Sequence, residues 1–153
     1  MKPYAVPASF FGIVLGIIGL GTAWRDAVRL WHVPTAIAET IMFIGAAVWL
    51  AVLLLYAAKW IWARDQARAE LEHPIQCCFI GLAPVSTLLT ALVVLPYSRA
   101  AALVLFWIGA AGQLAFGVYR TGRLWQGGGD PAAATAVLYL PTVAGSFVTT
   151  IVA

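Results

Sequence analysis

Five long apolar stretches take up most of the sequence and constrain its fold more than any other feature. A helix needs about 20 consecutive apolar residues to cross the hydrocarbon of a bilayer. The stretches predict helices at about residues 7–31, 36–62, 75–96, 100–122 and 133–153. Hydrophobic residues make up 63% of the 153 residues and charged residues only 10%, whereas a soluble domain carries about a quarter charged residues. The sequence therefore predicts an all-α integral membrane protein, with one transmembrane domain over the whole chain.

The connections between the stretches are short and predict helical hairpins. The segment 97–99 follows Pro96 and leaves room only for an antiparallel turn between the third and fourth helices. The charged segment 63–74 is predicted to extend the second helix into water, with Pro74 beginning the next helix. The final apolar run reaches Ala153 without the interfacial residues that usually follow a membrane helix. We therefore interpret the sequence as part of a longer protein.

Basic residues are distributed unevenly between the two ends of the predicted helices. The end that carries the amino terminus has six of them, Lys2, Lys59, Arg64, Arg68, Arg120 and Arg123, and the opposite end has Arg25, Arg29 and Arg99. The positive-inside rule then predicts a multi-pass protein of the cell inner (plasma) membrane with a cytoplasmic amino terminus. The basic residues match no pattern of nucleic-acid recognition, so no nucleic-acid partner is expected.

Two stretches carry a proline near the middle, followed by hydroxyl residues. In lipid, a proline removes a backbone hydrogen bond, and this is tolerated where neighbouring helices, hydroxyls or a water-filled cavity satisfy the freed carbonyl. Such bends either shape a polar path or only improve packing, and the hydroxyls either face a lumen or bond their own helix backbone. The candidate pore-lining residues of these stretches are Pro84, Ser86, Thr87, Pro141, Thr142 and Thr149.

Glycines distinguish the first stretch from its neighbours. Gly12 and Gly16 are further pore-lining candidates, and close helix packing is the alternative for both. The second stretch is bulky and aromatic instead, as suits contact with lipid. We therefore expect the odd-numbered helices inside and the even-numbered helices outside. The 57-residue spacing of the two prolines is compatible with repeated hairpins around an axis.

The polar residues at the ends of the stretches predict no metal site and no cofactor. Glu70, Glu72 and His73 lack the spacing of a helical zinc pair and have no second cluster to complete the coordination. The two acids are instead expected to pair with loop arginines such as Arg64 or Arg68. Cationic residues of this kind near the helix ends would raise the local concentration of anions.

Catalysis within the membrane is not expected either. An intramembrane enzyme needs a nucleophile with a base, or paired acids, at bilayer depth, and Ser146 has no such partner in the central spans. Glu39, near the start of the second helix, would snorkel to the interface or cap the helix, with proton coupling as the alternative. Arg25, at the end of the first helix, is one of the residues that would attract anions.

Six segments in order along the chain resemble the tellurite-resistance TehA family. They are FFGIVLGIIGLGTAWR (10–25), AELEHP (69–74), FIGLAPVSTLL (79–89), IGAAGQLAF (108–116), LWQGG (124–128) and YLPTVAGSF (139–147). These proteins are also called C4-dicarboxylate or malic-acid transporters and are related to plant slow anion channels. The ordered set is specific, although no single segment is diagnostic.

The resemblance implies a ten-helix bundle of five hairpins with quasi-five-fold symmetry, of which this chain supplies five helices. Inner odd-numbered helices would surround a pore, and the protein would be a homo-oligomer, a trimer. The gate of the family is a phenylalanine on the ninth helix, outside this sequence, so no gating residue is assigned. Relatives often have Asn where Gly145 or Ser146 stands here, which changes the local hydrogen bonding.

The implied function is channel-like transport of small anions, inorganic or carboxylate, through a lipid bilayer. Family resemblance links this transport to tellurite resistance or to C4-dicarboxylate and malate transport. The sequence leaves open which anion moves and whether protons are coupled to it. The alternative is a membrane assembly subunit that does not transport, or an inactive half-length fragment.

Overall fold

A computed structural model describes residues 6–73 and 75–125 of the chain, together with Gly145, Val148 and Thr149. A 3-10 turn at Ala8–Phe10 comes first, and six α-helices follow. They are α1 (Phe11–Trp31), α2 (Thr35–Trp62), α3 (Arg64–Glu72), α4 (Gln76–Ile80), α5 (Leu82–Val94) and α6 (Arg99–Trp125). Within these described ranges the chain forms no β-strand.

Four helical segments of the described chain are long and apolar enough to cross a membrane. They are Ala8–Trp31, Thr35–Trp62, Gln76–Val94 and Arg99–Tyr119. The prediction of an all-α membrane protein is therefore confirmed. The fifth predicted helix, 133–153, lies outside the described residues except at the three positions named above.

The spanning segments pair as two hairpins. The first turn begins at His32, whose backbone is left-handed (φ 55°) and whose N–H bonds the carbonyl of Val28, ending α1. The second turn ends at Ser98, whose hydroxyl accepts the backbone N–H of Ala101 at 3.3 Å and so caps α6. α5 contacts α1 and α2 as well as its hairpin partner α6, so it joins the two hairpins.

Burial is concentrated in the third spanning segment. Over the 18-residue apolar stretch of each described segment, 61% of the residues are buried in Gln76–Val94, against 22–28% in the other three segments. Val14, Ile18 and Met42 pack with Val93 in the core between α1, α2 and α5. Large apolar side chains on α2 and α6, such as Leu54 and Trp107, are exposed instead. The third helix thus lies inside and the second and fourth outside, whereas the first is nearly as exposed as those two.

The linker after α2 differs from its prediction. α2 does not continue through the charged segment, because it ends at Trp62 and Ala63 leaves the helical region with φ −134° and ψ 48°. The carbonyl of Ala63 accepts the N–H groups of both Gln66 and Ala67 and so begins a separate helix, α3. This change of direction brings Glu70 back to the end of α2. Pro74 lies outside the described residues.

The third segment is interrupted near its central proline. It divides at Gly81 into α4 and α5, and Pro84 is the third residue of α5. The first N–H groups of a helix have no partner within it, so a residue without an N–H costs little there. Pro84 lies near the middle of the spanning segment Gln76–Val94, as predicted, and the helix is interrupted at Gly81, three residues before the proline. The fourth helix begins one residue earlier and ends three residues later than predicted.

Candidate functional site

The hydroxyls of α5 are buried and bonded to their own helix. The hydroxyls of Ser86 and Thr87 both donate to the carbonyl of Ala83, at 2.8 and 2.9 Å. Thr90 donates to the carbonyl of Ser86 at 2.8 Å, and the indole N–H of Trp49 donates to Thr87 at 3.3 Å. The hydroxyl hydrogens of Ser86, Thr87 and Thr90 are therefore all used within the helix, and only lone pairs on these oxygens could accept a further hydrogen bond.

Pro84 lies in the contact between α5 and α6. A Cβ atom added at Gly112 would come within 3.1 Å of the Pro84 ring, and one at Gly109 within 3.0 Å of the Pro84 carbonyl oxygen and 2.8 Å of Leu88. Only a residue without a side chain lets α6 approach α5 this closely. The two glycines thus complete the packing around the proline, and their spacing of three on the next helix was the sequence signal for it.

α1 has one packed face and one open face. Phe11, Val14 and Ile18 are fully buried on the packed face. A Cβ atom at Gly12 or Gly16 would have no heavy atom within 4 Å beyond its own helix. Neither glycine therefore serves as a close-packing position between described helices, and both stay predicted pore-lining residues.

A buried ion pair lies at the end of the bundle where α1 begins. Lys59 Nζ is 2.6 Å from Glu70 Oε2, with each side chain 6% exposed. Glu70 Oε1 accepts the N–H of Ala8 at 2.8 Å, and Lys59 also donates to the carbonyl of Val6 at 3.4 Å. Glu70 thus places a carboxylate at the start of the first helix, where the helix dipole favours negative charge.

The predicted partners of the loop acids are wrong. Glu70 pairs with Lys59 and not with Arg64 or Arg68, because the break after α2 turns α3 back over the last turn of α2. Glu72 is exposed and belongs to none of the ion pairs found among the described residues. The sequence gives no local signal for the observed pair, which forms across a change of chain direction.

A cavity of about 560 Å³ adjoins this ion pair. The 3-10 turn, the last turn of α2, α3 and the start of α4 surround it. Its polar lining consists of Ser9, Lys59, Gln66, Glu70, His73 and Gln76. It lies at the same end of the bundle as the amino terminus, and Pro7, Ala69 and Phe79 complete its lining.

A second polar cluster closes the opposite end of the described bundle. The Arg25 guanidinium donates two hydrogen bonds to the Glu39 carboxylate, at 3.0 and 2.9 Å, and one to the carbonyl of Leu92 at 2.9 Å. The Tyr97 hydroxyl donates to the same carboxylate at 2.5 Å, and this hydrogen bond raises the pKa of Tyr97 above its ordinary value. Arg25 is thus neutralised by Glu39, so it does not offer the uncompensated charge that attraction of anions requires.

Comparison with known proteins identifies the family. Residues 5–153 match the family model SLAC1, described as a voltage-dependent anion channel. The chain belongs to the SLAC1 family. It is 35% identical over 147 residues to the tellurite resistance protein TehA homolog of Haemophilus influenzae, covering 95% of this chain and 45% of that protein. It is 32% identical over 95 residues to the S-type anion channel SLAH3 of Arabidopsis thaliana, covering 59% of this chain and 15% of that protein.

The resemblance predicted from the ordered segments is therefore confirmed. The chain spans less than half the length of the SLAC1-family relatives it matches. The described part of this SLAC1-family chain brings the α5 candidates Pro84, Ser86 and Thr87 together on one helix, while Gly12 and Gly16 lie on α1.

Of the candidates in the predicted fifth helix, the structure describes one. Thr149 donates its hydroxyl to the carbonyl of Gly145 at 2.7 Å, and Pro141 and Thr142 lie outside the described residues. The Gln113 side chain lies directly against Gly145, so that any side chain at 145 would collide with it. Gly145 therefore accommodates Gln113, a buried amide that sequence reasoning did not single out.

Proposed function

We propose that the chain forms part of a channel-like membrane pathway for small anions, lined by the odd-numbered helices. The distribution of charge in the described bundle carries this proposal. Residues 8–24 and 76–98 contain no charged side chain, and the ion pairs Arg25–Glu39 and Lys59–Glu70 keep their charges compensated at the two ends. Conduction needs a wall that attracts an ion weakly and releases it quickly, and a wall of backbone dipoles, hydroxyls and apolar groups meets that need.

The proposed pore wall consists of two described surfaces and one predicted surface. α1 supplies the open face at Gly12 and Gly16, and α5 supplies Pro84, Ser86 and Thr87, whose hydroxyls would have to leave their bonds to the Ala83 carbonyl to donate to an anion. The fifth helix would add Pro141, Thr142 and Thr149. Further helices would complete a quasi-five-fold ring of ten, assembled as a trimer in the plasma membrane with a cytoplasmic amino terminus.

The names of the relatives suggest the class of substrate. One relative is named for tellurite resistance and the other is named an S-type anion channel. By analogy, we propose that this chain takes part in the transport of inorganic anions or small carboxylates, including C4-dicarboxylates such as malate. Both classes are small anions that lose part of their hydration in a narrow pore.

Anion flux into liposomes tests the proposal. We expect chloride or malate flux from liposomes that hold the chain together with the further helices proposed above. Replacing Gly16→Leu should lower this flux at least about tenfold, because the open face of α1 would be filled. Ala47→Leu, on an exposed surface of α2, is the matched control and should conduct normally. A folded product without flux would overturn the proposal.

A second candidate function follows from the length of the chain. Because it covers 45% of its bacterial relative, the 153 residues alone would form a folded assembly subunit without transport. The same liposomes decide between the two. Flux from the chain, alone or after co-expression with the remaining helices, supports the anion pathway, whereas a folded chain that gives no flux in either case supports the non-transporting subunit.

A further inference from the structure

We propose that Gln113 is a positioning residue, which docks the predicted fifth helix, 133–153, against α6 through the backbone at Gly145. The fifth helix carries the remaining pore-lining candidates, so the consequence for transport rests on the proposed function. The docking itself depends on the contacts, the burial and the side-chain chemistry of described residues, and these are independent of transport.

Gly145 and Thr149 belong to one helical turn. The hydroxyl of Thr149 donates to the carbonyl of Gly145, four residues earlier, at 2.7 Å, as a threonine does within its own helix. Gly145, Val148 and Thr149 all have helical backbone. Gly145 therefore presents the backbone of a helix, and not that of a loop, to its neighbour on α6.

The side chain of Gln113 occupies the space beside Gly145. A Cβ atom built at 145 would collide with the amide nitrogen and amide carbon of Gln113 and would lie 2.5 Å from its Cγ. Gly145 is buried and Gln113 is 8% exposed. A glycine lets another group approach the helix backbone closely, and a backbone carbonyl has two lone pairs. The amide thus lies where it can bond the backbone of the fifth helix directly.

The chemistry of a buried amide explains why this contact holds the helix in place. A glutamine side chain in an apolar interior costs free energy unless it is hydrogen-bonded, and polar side chains join helices in membranes for this reason. The amide nitrogen of Gln113 is the side-chain atom that comes closest to the added Cβ at Gly145, and this nitrogen is a donor. Its acceptor is a backbone carbonyl of the fifth helix in the turn of Gly145.

α6 thereby contacts both proline-bearing stretches through neighbouring residues. Gly112 lies against the ring of Pro84, where an added Cβ atom would come within 3.1 Å. Gln113 lies against Gly145, four residues after Pro141. One turn of α6 therefore sets the separation between α5 and the fifth helix. Because both helices contribute to the proposed pore wall, this separation affects the size of the anion that passes.

A double-substitution cycle on the purified chain in detergent tests the docking. Gly145→Ala places a methyl group in the space of the Gln113 amide and should lower the unfolding temperature by about 5 °C. In a Gln113→Ala background the same substitution should cause no loss, because the space is then empty. Gly19→Ala, at a helical glycine with no heavy atom within 4 Å of the added Cβ, is the matched control and should cause no loss either. Equal losses from Gly145→Ala in the two backgrounds would overturn the inference.

Cross-linking keeps the test decisive if Gly145→Ala does not fold. The Cβ atom of Gln113 is one bond of about 1.5 Å beyond its Cγ, so cysteines at 113 and 145 would have Cβ atoms within about 4 Å, as a disulfide requires. In a background without Cys77 and Cys78, the pair Gln113→Cys, Gly145→Cys should cross-link under mild oxidation. The pair Gly122→Cys, Gly145→Cys, nine residues further along α6, should not. Equal cross-linking of the two pairs would overturn the docking.

Anion selectivity measures the consequence for transport and keeps this inference separate from the proposed function. In liposomes that hold the chain with the further helices, Gln113→Met keeps the side-chain length but removes the donor. It should change the ratio of malate to chloride flux about threefold, which corresponds to one hydrogen bond between membrane helices. Leu114→Met, on the exposed surface of α6, is the matched control and should leave the ratio unchanged.

The outcomes of these experiments separate the two proposals. A folded product without flux, in which the double-substitution cycle shows the expected dependence on Gln113, would overturn the anion pathway and leave the docking standing. Normal flux with an unchanged malate-to-chloride ratio in Gln113→Met would overturn the positioning role and leave the pathway standing.

Discussion

The ion pairs at the two ends of the α1–α2 hairpin differ in burial and in the partners that surround them. Lys59 and Glu70 are each 6% exposed and bond backbone groups as well as each other, whereas Arg25 and Glu39 are 16% and 27% exposed. The buried pair fixes the start of α1 to α3, and the partly exposed pair ties α1 and α2 to the end of α5. The same type of contact thus has a different energetic weight at each end, because desolvation is nearly complete at one end and partial at the other.

The largest effect is expected when the buried pair is broken on one side. Glu70→Ala leaves Lys59 charged and unpaired in the interior and removes the acceptor of the Ala8 N–H. We expect a loss of about 3–5 kcal/mol in the free energy of unfolding, measured by denaturant titration in detergent. Cys77 and Cys78, buried at the start of α4, should become more reactive towards maleimide as α3 loosens.

A double substitution sharpens this result. The double variant Lys59→Met, Glu70→Leu removes both charges. It should recover most of the stability that Glu70→Ala loses, because no unpaired charge remains. If the double variant is as unstable as Glu70→Ala, then the loss comes from the Ala8 contact and packing, and the ion pair is not its cause.

A smaller effect is expected at the opposite end. Glu39→Ala removes the carboxylate partner of the Arg25 guanidinium. This guanidinium still donates to the Leu92 carbonyl and can form new hydrogen bonds with water. We expect a loss of about 1 kcal/mol, and the cost should shrink as salt is raised, since exposed charges are screened. Glu70→Ala measured over the same salt range is the comparison. A salt dependence of equal size in both variants would show that the two pairs are not as different as their burial suggests.

The smallest effect is expected from Tyr97, which is exposed and contributes one hydrogen bond to Glu39. The bond requires the protonated phenol, and it raises the pKa of Tyr97 in the folded state. Its contribution is therefore fully present below the unfolded pKa of about 10 and is lost as pH rises through the higher folded pKa. Tyr97→Phe should remove this alkaline dependence, as followed by unfolding between pH 8 and 11. An unchanged alkaline slope would assign the dependence to other groups.

The sequence predicted the elements that depend on local composition. The long apolar stretches define the spanning helices, and the short segment around Ser98 defines the second hairpin. Both follow from the length of apolar chain that a bilayer requires and from the chemistry of a tight turn. The ordered family segments supplied the functional hypothesis, which residue chemistry alone had left open between a polar path and better packing.

What the sequence could not predict depends on contacts between distant residues. Ala63 belongs to the residue type with the highest helix propensity, yet the chain breaks there and Glu70 returns to Lys59. The division at Gly81 likewise places Pro84 in the first turn of a new helix, which its apolar surroundings did not reveal. Glu39 and Arg25 are 14 residues apart, so their pairing depends on how α1 and α2 align in the hairpin.

The bond between Ala8 and Glu70 has a consequence for the order of synthesis. A ribosome releases the start of α1 well before residue 70 exists, and chains generally fold from the amino terminus as they emerge. The N–H of Ala8 therefore stays bonded to water until Glu70 has been made. The arrival of α3 then exchanges this water for a carboxylate, so the first part of the chain to be made reaches its final form only after a later part has folded.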